Sequence, residues 1–167
     1  MKRTFGCLVV VLAAAVAAGS SQLGGQERDP FNGTWELNIE KTKELSGGTS
    51  PIHEIISFEI GDDGVQHYRV EIQFEGEPLR KGWYDSKYNE AKFVPYNGTV
   101  YPPDSVGMEV MTVKVDERTH YRIARTRDGE AQYVMMRRLS EDGQSYISAG
   151  LRTDGSPGLC RWMERVK

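Results

Sequence analysis

Cysteine is nearly missing from this chain, with Cys7 and Cys160 the only two in 167 residues. Cys7 falls inside a leader-like N-terminus, which leaves Cys160 alone, and one thiol excludes an internal disulfide framework. Histidine is scarce too: His53, His67 and His120 lie in separate segments without ligand spacing, so the sequence points to no metal site. There is no excess of positive charge. The formal net charge is −3, and it becomes −5 when Lys2 and Arg3 leave with the leader, because no acid leaves with them. A mildly acidic domain lacks the basic face that displaces counterions from nucleic acid, so no nucleic-acid partner is expected. Catalytic signatures are missing as well: no Gly-x-Ser-x-Gly elbow, no Gly-rich phosphate loop, no His-Glu-x-x-His, and no evident His partner for Cys160. The expectation is a protein without catalytic residues and without a cofactor.

The one long apolar run is at the start. Lys2 and Arg3 form a positive n-region, Leu8 to Ala18 form an apolar stretch, and Ala15-Val16-Ala17 or Val16-Ala17-Ala18 offers small residues for cleavage. A transmembrane helix needs about 20 apolar residues, and Gly19, Ser20, Ser21 and Gln22 break the run before that. Residues 1–19 are therefore read as a signal peptide, 20–28 as a flexible N-terminal segment and 29–167 as a single domain, periplasmic or secreted, with no stable membrane span after cleavage.

What the domain does contain is regular punctuation. Turn signals fall at Asp63-Gly64, Glu75-Gly76-Glu77-Pro78, Ser86 to Asn89, Asn97-Gly98, Asp116-Glu117, Asp128-Gly129, Asp142-Gly143 and Asp154-Gly155. Most are about 10 to 14 residues apart, the spacing of consecutive antiparallel hairpins, and Gly, Asn and Asp accept the positive φ of tight turns. About ten strands are expected. Lys41 to Ser50 holds the only plausible helical turn, ended by Gly47-Gly48 and Pro51.

Between turns, side chains alternate. Tyr68, Val70, Ile72 and Phe74 share one strand face, while His67, Arg69, Glu71, Gln73 and Glu75 share the other. Trp35, Leu37 and Ile39 repeat the pattern, as do Ile56, Phe58 and Ile60 and, less cleanly, Met111, Val113 and Val115. A meander this long must protect its edges, and closure removes them. The expected fold is all-β: an antiparallel up-and-down β-barrel of about 8 to 10 strands, large enough to hold one small ligand. The same alternation also fits an open sandwich of two sheets.

Phe31-Asn32-Gly33-Thr34-Trp35-Glu36-Leu37 resembles the Phe-x-Gly-Thr-Trp-x-Leu opening of fatty-acid-binding proteins and the Gly-x-Trp motif of lipocalins. Asn38-Ile39-Glu40-Lys41-Thr42-Lys43 and Arg138-Leu139-Ser140-Glu141-Asp142-Gly143-Gln144 look like runs of a family of small exported bacterial proteins that begin with the same motif. The ending Arg161-Trp162-Met163-Glu164-Arg165-Val166 is similar to the Arg-x-Tyr-Glu-(Lys/Arg) ending of fatty-acid-binding proteins, with Met163 in place of the Tyr. The resemblance implies a lipocalin-like barrel in which Gly33 and Trp35 are structural, Trp35 plugs one end, and Arg161 holds a ligand carboxylate.

The residues themselves offer a second candidate. Arg137 lies on the same alternation face as Tyr133, Met135 and Leu139. If that face is interior, a bound carboxylate would satisfy its guanidinium bidentately. In the other arrangement Arg137 and Arg138 straddle the strand near its open end, in water or paired with acids. Arg161 likewise faces solvent if Cys160, Trp162 and Val166 face inward. The functional expectation is a small apolar or amphipathic ligand held by Arg137, Arg161, Tyr133, Met135, Tyr68 and Phe74. The alternative is a filled barrel serving as an interaction or structural module of the cell envelope.

Overall fold

The computed structural model describes residues 28–100 and 107–167. The expected leader and nearly all of the expected flexible segment lie outside them, as does Tyr101, part of the aromatic-rich stretch after Tyr84. The chain forms β1 (Gly33–Leu37), α1 (Ile39–Ser46), β2 (His53–Ile60), β3 (Val65–Gln73), β4 (Arg80–Lys87), β5 (Val94–Gly98), β6 (Met108–Asp116), β7 (Thr119–Thr126), β8 (Ala131–Leu139), β9 (Ser145–Arg152) and β10 (Arg161–Arg165). Each strand pairs antiparallel with its sequence neighbour, and β1 pairs with both β2 and β10, which closes the barrel. Closure leaves no strand edge unpaired, so the open-sandwich arrangement is ruled out.

Most of the inward face follows the alternation. Trp35, Ile56, Phe58, Tyr68, Val70 and Ile72 are buried. Two segments depart from expectation. In β6 the buried residues are Met108, Val110 and Thr112, while Val115 is exposed, so the face chosen from Met111, Val113 and Val115 is the outer one. Ile39 leaves the strand pattern because it begins α1.

The helix follows from its caps. The Asn38 side chain accepts from Lys41 N at 3.0 Å, and Gly47 takes the left-handed conformation (φ 71°) that ends the helix. Its buried Thr42 accepts from Trp162 N at 2.9 Å, and Lys41 and Asn38 both reach the Glu164 carboxylate, which fastens the helix to β10.

The end formed by the start of β1 and the end of β10 is closed by the segment before β1. Phe31 lies in the core, stacked on His120 with ring centroids 4.0 Å apart, and Trp35 Nε1 donates to Phe31 O at 2.9 Å. Arg165 locks this cap. Its guanidinium donates to Asn32 O and Pro30 O at 2.6 Å each and to Gly143 O at 2.9 Å, and it lies 4.1 Å from the centre of the Trp35 ring. Gly33 is required here, because its φ is +126° and a Cβ would stand 2.8 Å from Arg165 Nη1.

Removing Phe31 should therefore open the core and free the cap together. Phe31→Ala is expected to cost about 3–5 kcal/mol, the range for a buried phenylalanine, measured by urea unfolding. A loss under about 1 kcal/mol would mean that this segment is not part of the core.

Candidate functional site

At the opposite end the barrel stays open into a cavity of about 240 Å³. One wall is apolar, built by Val70 and Ile72 of β3 and Phe74 just after it, with Val100, Met135 and Leu159. Arg122, Arg161 and Glu54 form a polar floor, and Arg80 and Arg152 stand nearer to solvent. Glycines make the space: Gly150 and Gly158 line the cavity with backbone alone.

Strand alternation positions the floor. Glu54 lies two residues before Ile56 on the inward face of β2, and Arg122 lies between His120 and Ala124 on the inward face of β7. Register then gathers the polar groups into a row across neighbouring strands: His120 is opposite Arg137, Arg137 opposite Ser148, and Ser148 opposite Arg161. Such a row inside a barrel concentrates desolvated polar groups at one level, where each must find a partner or remain costly.

Several of them do not find one. Arg161 Nε stands 2.7 Å from Glu54 Oε2, close enough for an ion pair but off the line of a hydrogen bond. Nε and Nη1 of both Arg122 and Arg137 have no hydrogen-bond partner, and neither do Tyr146 Oη, Ser148 Oγ and His120 Nε2. The Arg122 guanidinium sits in an aromatic cage, 5.4 Å from the ring centres of Tyr68, Tyr96 and Tyr133 and 6.0 Å from that of Tyr84. Arg137 lies 5.3 Å from the Phe58 ring centre and 5.2 Å from that of Tyr68. Ring quadrupoles offset part of the desolvation of these cations without neutralising them. Glu54 is the only acidic residue among the buried ones described; the Asp29 side chain, 8% exposed, is paired with Lys114 at 2.9 Å.

The titrating groups respond accordingly. Burial raises the Glu54 pKa, opposed by the charges of Arg161, Arg122, Arg137 and His53. His120 is held neutral far below its ordinary range by burial first, then by Arg137, Arg122 and Lys114. Its Nδ1 lies 2.7 Å from the Tyr88 hydroxyl, which accepts from Gln66 Nε2 at 2.7 Å. Burial also pushes up the Cys160 thiol, away from nucleophilic character. Cys160 stands just before β10 and not within it.

Of the residues expected from sequence, Tyr68, Phe74, Tyr133, Met135 and Arg161 line the cavity together. Arg137 is interior, as one of its two readings had it, but it is fully buried against the Tyr68 ring and does not itself line the cavity. Arg161 projects inward and Trp162 outward, where Lys41 covers its ring. Gly33 and Trp35 belong to the closed end. Sequence reasoning missed Arg122 and Glu54. Glu54 was within reach, since it continues the Ile56-Phe58-Ile60 face. Arg122 was hidden because β7 turns Tyr121 and Ile123 outward and its polar residues inward, the reverse of the usual pattern.

No protein-family model and no curated protein matches this chain.

Two measurements check this electrostatic description. In the ligand-free protein, Arg122→Met removes a buried unpaired charge and should raise stability by about 1 kcal/mol or more; a clear destabilisation would contradict the description. For His120 the folded-state pKa is depressed, so the unfolded chain takes up a proton that the folded one refuses, and stability falls as pH drops below about 6.5. Wild type should lose stability relative to His120→Gln by up to about 1.4 kcal/mol per pH unit between pH 6 and 5. A pH-independent difference would show that His120 protonates freely in the fold.

Proposed function

We propose that this protein is an exported binder of a small amphipathic acid, held inside the barrel with its anionic end on Arg122 and Arg161 and its apolar part along Val70, Ile72, Phe74 and Met135. The single observation that carries the proposal is a half-apolar cavity whose floor holds guanidinium N–H groups with no acceptor. A bound anionic head supplies what the fold leaves out: acceptors for those donors and a countercharge in a site where water is scarce. Caging by Tyr68, Tyr84, Tyr96 and Tyr133 keeps the Arg122 head fixed before the ligand arrives, which reduces the ordering cost of binding.

Export rests on the leader-like composition of residues 1–19. The reading as a binder and not an enzyme rests on the floor chemistry. Glu54 is engaged with Arg161, and Cys160, with a raised pKa, lies outside the floor. The filled-barrel alternative describes the closed half well, where Phe31, Trp35, Tyr146 and Met163 are packed without exposure above 1%. It does not account for the open half.

Isothermal titration with decanoate tests the proposal. Arg122→Met and Arg161→Met should each weaken binding about tenfold or more, the value of a charge-assisted hydrogen bond of about 1.5–3 kcal/mol. Unchanged affinity in both variants would remove the floor as the anchor.

A further inference from the structure

The charges inside the barrel do not balance. Arg122, Arg137 and Arg161 face Glu54 alone among the described residues, and Glu54 is taken up by Arg161 at 2.7 Å. Two guanidinium charges remain. They are not independent, because both lie against the Tyr68 ring, whose centre is 5.4 Å from Arg122 and 5.2 Å from Arg137, and the Arg122 charge acts on Arg137. Arg80 is discounted because Glu77 pairs with it, and Arg152 because it is exposed to water. Guanidinium cannot shed its proton, so the surplus persists at any pH the fold tolerates.

From this surplus we infer that the ligand's head group is a compact dianion, of the phosphate-monoester or malonate type, and not a simple carboxylate. The inference rests on the interior-binding reading above and specifies its chemistry. One negative charge on the floor neutralises Arg122 and leaves Arg137 uncompensated behind it. A second charge on the same head is felt by Arg137, which lies against the same Tyr68 ring as Arg122, in a medium where Coulomb interactions are only weakly screened. A tetrahedral head also presents three acceptor oxygens, enough for the free Nε and Nη1 of Arg122.

Decyl phosphate and decyl sulfate separate charge from shape, since their heads are nearly isosteric and only the phosphate is doubly charged at pH 8. Decylmalonate then separates a dianion in general from phosphate in particular. Below their micellar concentrations, decyl phosphate should bind wild type at least tenfold tighter than decyl sulfate. That ratio should drop below threefold in Arg137→Met, and also in wild type at pH 5, where the phosphate approaches a single charge. Glu54 and His120, the titratable groups facing the floor, can only become more positive as pH falls, which favours the dianion, so they cannot produce the predicted fall in the ratio. The pH comparison needs no variant, so the test survives if Arg137→Met fails to fold. Decylmalonate binding like the phosphate supports a general dianion site; binding like the sulfate restricts the assignment to phosphate monoesters. Equal affinities for phosphate and sulfate, or a ratio unmoved by Arg137→Met and by pH, would overturn the dianion assignment while leaving an amphiphile site standing. Failure of all three, and of decanoate, to bind would overturn the interior-binding reading itself.

Discussion

Everything about the open half of this barrel turns on one imbalance: three guanidinium groups and a single carboxylate enclosed by apolar and aromatic walls. An ion moved from water into such surroundings loses several kcal/mol of solvation unless it is paired, and the fold offers only partial compensation. Arg161 has Glu54, whereas Arg122 and Arg137 have tyrosine and phenylalanine faces. Aromatic caging tolerates a cation and orients it, but supplies no acceptor for its Nε and Nη1 hydrogens. A barrel that kept those arginines only for packing would be better served by methionine.

The closed half supplies the stability that such an interior consumes. Phe31, Trp35, Phe58 and Tyr146 stack edge to face, Arg165 ties down the backbone that crosses the end, and α1 is fastened to β10 through Thr42, Asn38 and Glu164. All of these residues except Phe58 and Tyr146 fall in the motif-bearing runs near the two ends of the sequence. Their proximity explains why: β1 and β10 are neighbours, so the Gly33-Thr34-Trp35 opening and the Arg161-to-Arg165 ending form one closure device. Met163 is wholly buried beside Leu37, where it packs as an apolar side chain. The terminal motifs thus mark how the barrel shuts, with Arg161 the one member that reaches the cavity.

The barrel was legible because antiparallel pairing imposes period two, and because Asp-Gly turns recur at hairpin spacing. Most of the cavity wall followed from the same pattern, as Tyr68, Phe74, Tyr133 and Met135 show. Less legible was anything that depends on register between strands. Arg137 was placed by its own strand face, but only pairing with β7 and β9 reveals that His120 and Ser148 stand at its level. β7 misleads because its polar residues face inward, so hydrophobicity and orientation disagree along it. β6 misleads for a related reason: its apolar residues occupy both faces, and the inner set is Met108 and Val110.

The most direct test of the account is the crystal structure of the protein soaked with a decyl amphiphile, read for the direction in which the ligand lies. The account predicts the anionic head at the floor, its oxygens within hydrogen-bonding distance of Arg122 Nε and Nη1, with the chain running out past Ile72 and Phe74. A head turned outward to Arg80 and Arg152, with the alkyl chain on the floor, would contradict it.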